Sequence, residues 1–171
     1  ILIVPVWLIA FAGKIVTGDH GPVIISLVRV GKNGRRFYYY KFRTMYMDAQ
    51  ERYGKWVLEG KCGKDPRFTP VGWLLRVARL ENLPSAWNVL WGDTSMVGNP
   101  APSLPEFIEY SVFHRKSLSV KPGIIGFWQV YTREHRLLSE EEQSEYDQEY
   151  ILNWTVGLDI RIIFRAICPF C

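Results

Sequence analysis

The chain opens with "ILIVPVWLIAFAGK", twelve uncharged apolar residues ahead of Gly13 and Lys14, and this run limits the architecture more than any other stretch. As a helix it reaches about 18 Å, against a hydrocarbon core of roughly 30 Å, so it cannot cross a bilayer alone. Pro5 removes one backbone donor and blocks the carbonyl a turn earlier, so a longer helix built through it would be kinked or broken. A re-entrant membrane helix over residues 1–17, turning back at Pro5, fits both facts. The apolar stretch of a cleaved signal peptide, a truncated transmembrane helix and a buried core helix are the alternatives. The chain lacks an initiator Met and reads as a fragment, shortened ahead of Ile1. Residues 18–171 read as one further domain, since 171 residues support a single real core.

Beyond the apolar run, "VIISLVRV" and "RRFYYYKFRTM" flank "GKNG" and predict a β-hairpin. Residues 46 to 64 start as a helix and end in a Gly- and Lys-marked loop. Thr69-Pro70 is a capping hydroxyl followed by Pro at the first helical position, and Val71, Leu74, Leu75 and Ala78 then share one face, so the spacing predicts a helix over 70–79. Pro84 announces another, stopping near Gly92. Residues 105 to 118 are amphipathic and could pack on a core or lie on a bilayer. "KPGIIGFWQV" reads as extended with a Gly-marked turn. Ser139 with Glu142 three residues on is a capping box for a last long helix. The fold class is α+β, mostly helical, with a small hairpin and amphipathic interfacial helices.

Hydrophobic residues make up 48% of the chain and aromatics 15%, which argues against disorder and leaves apolar surface free to face lipid. A formal charge of +4 suits anionic partners without choosing among them. Nucleic acid gains nothing further, because the positive charges are spread out and no binding-module motif is present. Cys62, Cys168 and Cys171 cannot all pair, which points to a reducing compartment, and the terminal CxxC lacks two further ligands for zinc. In "RLENLPSAWNVLWGD" Glu81 and Asn82 stand just before the helix start at Pro84. A helix N-terminus holds anions through its backbone N–H groups, so Glu81 could sit beside a bound phosphate; it could equally only balance the helix dipole.

The segments "RVGKNGRRFYYYKFRTM", "DPRFTPVGWLLRVARLENLPSAWNVLWGDTSMVG", "KPGIIGFWQV" and "YDQEYILNWTVGLDIRII", in that order, resemble the bacterial sugar transferases, the monotopic phosphoglycosyl transferases that act on polyprenyl phosphate. The likeness covers about residues 18 to 165. It implies transfer of a sugar 1-phosphate from a nucleotide sugar, usually a UDP-sugar, to undecaprenyl phosphate at the cytoplasmic face of the bacterial inner membrane, with release of UMP. In such enzymes an Asp-Glu pair occupies the positions of Glu81 and Asn82: the Asp attacks the β-phosphate to form a covalent phosphosugar intermediate, and the Glu helps to hold Mg²⁺.

Here Glu81 keeps a carboxylate one methylene further out, and Asn82 keeps an oxygen ligand for Mg²⁺ but loses the charge, so a weakened metal site is expected. The family's "GPRP" is replaced by Gly98-Asn99-Pro100-Ala101, without its Arg. Lys41, Arg43, Arg76, Asp93, Gln129 and Asp147 stand where the family has its Lys, Arg, Arg, Asp, Gln and Asp. Lys41 and Arg76 are the expected phosphate contacts, and Arg79 is an additional cation. The implied partners are the lipid bilayer, polyprenyl phosphate and the nucleotide sugar; a homo-oligomer is compatible with the sequence. Two functions follow: a transferase with Glu81 as nucleophile, or a catalytically impaired relative serving as a membrane-bound scaffold or regulator in glycan assembly.

Overall fold

The computed structural model describes residues 3–17, 21–58, 65–110, 115, 117–131 and 140–167. Its first helix, α1 (Ile3–Thr17), is apolar on nearly every side. Val6 and Ala10, one turn apart, are buried, and Val4, Trp7, Leu8 and Phe11 are exposed, with the Trp7 and Phe11 rings stacked 5.2 Å apart. The expected break at Pro5 is not met within the described residues. α1 runs through Pro5 and continues past Gly13 and Lys14. Its 15 residues reach about 22 Å, and no helix among the described residues is long and apolar enough to cross a membrane.

The next elements are the predicted hairpin, β1 (Ile24–Val30) and β2 (Arg36–Phe42), joined by a 3₁₀ turn at Lys32–Gly34. Asn33 (φ 57°) and Gly34 (φ 78°) take left-handed conformations that these two residue types tolerate best. α2 (Ala49–Leu58) follows, with Arg52 on Asp48 and Lys55 on Glu51 as i,i+4 pairs. α3 (Pro70–Val77) starts as its sequence predicts: the Thr69 hydroxyl accepts the Gly72 N–H at 2.9 Å.

The chain divides into two compact units, Ile1–Ser26 with Tyr40–Ser85, and Leu27–Tyr39 with Ala86–Cys171. In the first, Val6, Ala10, Val23, Phe42 and Leu75 form the core, so α1, the hairpin end and α3 share one apolar interior. α3 approaches the chain at Thr44 so closely that a Cβ on Gly72 would overlap the Thr44 carbonyl.

The second unit contains α4 (Ala86–Trp91), β3 (Ser95–Val97), α5 (Leu104–Glu109), β4 (Gly123–Ile125), α6 (Phe127–Tyr131), α7 (Glu140–Leu152) and α8 (Val156–Ile167). β3 and β4 pair in parallel, Ser95 opposite Gly123 and Val97 opposite Ile125. Val97, Phe127, Val130, Tyr150, Ile162 and Ala166 form its core.

Several expectations change here. The amphipathic stretch from 105 is helical only to Glu109 before residues 111–114, which lie outside the described set. "KPGIIGFWQV" is extended only in its first half; after Gly126 it turns into α6. The long helix expected from the Ser139 capping box is α7, which ends at Leu152, and a further helix follows it: the Thr155 hydroxyl accepts the Leu158 N–H at 3.1 Å at the start of α8. α8 buries Ile162 and Ala166 and exposes Val156, Ile160 and Phe164. Ser139 of the capping box, the end of the 46–64 loop, and Cys62, Cys168 and Cys171 lie outside the described residues.

Candidate functional site

Six of the nine candidates, Lys41, Arg43, Arg76, Arg79, Glu81 and Asn82, belong to the first unit; Asp93, Gln129 and Asp147 belong to the second. In the first unit the site is built by the way α3 ends. The Leu80 N–H reaches back to the Leu75 carbonyl at 2.8 Å and the Arg79 N–H to Arg76 at 3.0 Å. This is the double-bonded Schellman ending, with Leu80 packing against the same core as Leu75. The position that must turn left-handed is Arg79, at φ 56°, where glycine is the unstrained choice. Arg79→Gly is therefore expected to raise stability by about 1 kcal/mol in urea unfolding, and Arg79→Ala to give no gain.

The turn delivers Glu81 to the end of the hairpin. Its carbonyl accepts the Phe42 N–H at 2.8 Å, and Phe42 is fully buried, so the backbone at 81 is fastened to the core strand. Lys41 and Arg43 flank Phe42, and both are half-buried. The Arg43 guanidinium lies against Gly21, where a Cβ would overlap it. Glu81 is half-buried, and among the described residues its carboxylate makes no ion pair or hydrogen bond. The carboxylate is thus neither sunk in the interior nor neutralised by an arginine. Arg76 is exposed, its guanidinium 4.8 Å from the centre of the Phe68 ring, a contact with the π-face that leaves its N–H edge open to an anion.

The helix expected from Pro84 to a stop near Gly92 is present and is entered through a 3₁₀ turn. Residues Leu83–Ser85 form a 3₁₀ turn, and α4 begins only at Ala86. Its N–H groups are spent internally: Leu83 donates to Leu80 at 3.1 Å, Ser85 donates to Asn82 at 3.0 Å from nitrogen and 2.6 Å from oxygen, and Pro84 has none to give. The turn holds Asn82 in place.

For Mg²⁺, Glu81 and Asn82 supply hard oxygen donors, and the unpaired carboxylate is suitable. No group of three His, Cys, Asp or Glu side chains converges among the described residues. The pair fits a Mg²⁺ that draws its other ligands from substrate phosphates and water.

In the second unit, buried Asn88 donates from Nδ2 to the Tyr38 carbonyl at 2.7 Å and accepts the Asp93 N–H at 2.9 Å on its own carbonyl, placing Asp93 just after Gly92. Gln129 Oε1 accepts the Gly126 N–H at 3.2 Å, so the contact seen for it closes the start of α6. The Asn99 amide is buried with neither atom hydrogen-bonded, and Arg29 reaches the same loop, donating to the Ala101 carbonyl at 3.3 Å.

Asp147 lies on α7, its Oδ1 buried and unbonded, and burial pushes its carboxyl up to about 7. An unfolded Asp ionises near 4. Between those values the folded chain binds more protons than the unfolded one, so Asp147 makes stability fall as pH rises through that window. Asp147→Asn should raise the melting temperature at pH 8, by on the order of 2 kcal/mol in stability, and leave it unchanged at pH 4. A variant with the same pH profile as the parent contradicts this.

Sequence reasoning missed the Glu81–Phe42 tie and the left-handed turn at Arg79. The first is a long-range backbone bond with no local signature; the second places a cation where a glycine would have marked the turn.

The family model described as bacterial sugar transferase matches residues 1–170. The chain is 37% identical over 156 residues to the galactosyl transferase CpsE of Streptococcus agalactiae, covering 87% of this chain and 34% of that one. It is 37% identical over 178 residues to the undecaprenyl-phosphate galactose phosphotransferase of Salmonella typhimurium, covering 97% and 37%. The exopolysaccharide production protein ExoY of Rhizobium meliloti is 33% identical over 168 residues, covering 90% and 72%. The chain spans about a third of the length of the first two relatives.

Proposed function

The chain belongs to the bacterial sugar transferase family, and on that premise we propose that it moves a sugar 1-phosphate from a UDP-sugar to undecaprenyl phosphate at the cytoplasmic face of the inner membrane. The observation that carries this reading is the half-buried, unpaired carboxylate of Glu81, fixed by its backbone beside Lys41 and Arg43.

A Glu81 oxygen attacks the β-phosphorus of the UDP-sugar; the bond from that phosphorus to the bridging oxygen breaks, and UMP leaves with the electron pair. Undecaprenyl phosphate then attacks the same phosphorus, forming the lipid diphosphosugar and returning Glu81 as a carboxylate. Two anions must be neutralised before a carboxylate can approach phosphorus. Lys41 serves as a point charge and Arg76 as a fork with two parallel donors. Glu81 and Asn82 would hold a Mg²⁺ ion, which would supply further charge neutralisation. Arg79 adds a cation two residues from the nucleophile, which explains a strained position left unfilled by glycine; Arg79→Gly then exchanges activity for stability.

The exposed apolar faces of α1 and α8 support association with the bilayer, close to the lipid substrate. Asn82 favours the second reading, a scaffold with impaired chemistry, because an amide holds a hard cation less well than a carboxylate. Lipid-reconstituted protein, UDP-sugars and undecaprenyl phosphate separate the two: the transferase releases UMP and labels the lipid. A scaffold does neither, and gains both when Glu81→Asp is combined with Asn82→Glu.

A further inference from the structure

The hairpin turn, the end of α4 and the approach to β4 enclose a cleft of about 250 Å³ made entirely of second-unit residues. Lys32, Arg35 and Lys121 line it with a single carboxylate, Asp93. Asp93 pairs with none of the three among the described residues. Three cations against one carboxylate leave the cleft with a net positive charge.

The scaffold fixes the backbone from which those charges extend. Within the turn the Arg35 N–H donates to the Lys32 carbonyl at 3.2 Å, and the Arg35 carbonyl accepts the Gly31 N–H at 2.8 Å, so the two cationic residues start from a fixed backbone. Lys121 extends over Gly92: its Nζ stands 3.3 Å from where a Cβ on that glycine would be, and Gly92, at φ 81°, is a position where a side chain is disfavoured. The Phe37 ring, nearly buried, forms an apolar wall that strengthens the field of the three cations. At about 250 Å³ the cleft is below the roughly 300–1,000 Å³ of sites that enclose drug-sized ligands, a size that suits a single phosphate-bearing group.

We infer that this cleft is a binding site for a phosphate-class anion, a phosphomonoester or phosphodiester group, held by Lys32, Arg35 and Lys121. Such a group comes either from a soluble phosphate or from an anionic lipid head group. The inference stands apart from the chemistry at Glu81 and does not need the chain to be active.

The full chain is titrated with inorganic phosphate by calorimetry, and separately its partition is measured onto phosphatidylcholine vesicles with and without phosphatidylglycerol. The double variant Lys32→Ala/Lys121→Ala is expected to weaken phosphate binding about tenfold or more, or to remove the extra partition that phosphatidylglycerol confers. Loss in the first arm assigns a soluble ligand, and loss in the second a lipid head group. Lys32→Arg/Lys121→Arg should retain binding, and Lys55→Ala, an exposed lysine paired with Glu51 in the first unit, should leave both arms unchanged. No binding by the parent chain in either arm, no change in the double variant, or an equal loss in Lys55→Ala overturns the inference. Equal thermal midpoints for the exposed-lysine variants keep misfolding out of the comparison.

Discussion

Glu81→Gln should lower UMP release from a UDP-sugar by about three orders of magnitude or more while leaving the thermal midpoint unchanged. The carboxamide matches the carboxylate in size but cannot attack phosphorus. No stability is lost, because among the described residues the carboxylate makes no hydrogen bond or ion pair that Gln would forfeit. The structural contact at this position is the backbone bond from Phe42, which the substitution keeps. Full activity in Glu81→Gln removes Glu81 as the nucleophile. A fall in activity matched by a fall in thermal midpoint would make its role structural.

The largest stability effect is expected at Gly72. An Ala there drives its Cβ into the Thr44 carbonyl, which is backbone and cannot swing aside as a side-chain tip can. Thr44 also accepts the Thr69 N–H at 3.0 Å, so that carbonyl helps to join the helix start to the chain after the hairpin. Pushing them apart breaks this bond and opens the core around Leu75 and Phe42. The cost should be about 3 kcal/mol or more, a drop of roughly 6–12 °C in the melting transition of the whole chain. Activity should fall as well, because Arg43 directly precedes Thr44 and Glu81 is fastened to Phe42. A variant as stable as the parent would show that α3 does not approach Thr44 this closely.

These two positions illustrate what the sequence discloses. The start of α3 was legible because Thr69 and Pro70 act locally: a hydroxyl that caps and a ring already set at the helical φ. The hairpin was legible for the same reason, in its β-branched strands and Asn-Gly turn. Pro84 carried a similar signal for the helix that ends at Trp91; its first turn is 3₁₀, because the bonds from Leu83 and Ser85 to the residues three before them choose the tighter form. The parallel pairing of β3 with β4 left no local mark. It depends on Gly98 and Gly123 lying against each other across 25 residues, where a Cβ on Gly123 would overlap the Gly98 backbone.

The candidate residues came from the family resemblance, and the structure adds that six of them belong to one unit. The basic cleft was not legible, because Lys32, Arg35 and Lys121 each look like a solvated charge until the turn and the loop before β4 bring them together.

The central claim is that the acid at position 81 becomes covalently bonded to phosphorus. Intact-protein mass spectrometry after mixing the chain with a UDP-sugar and Mg²⁺, with no lipid acceptor present, tests it directly. The predicted result is a single added sugar phosphate, mapped to the peptide containing Glu81, absent from Glu81→Gln and discharged on addition of undecaprenyl phosphate. UMP release with no adduct at any time, or an adduct that persists in Glu81→Gln, would contradict it.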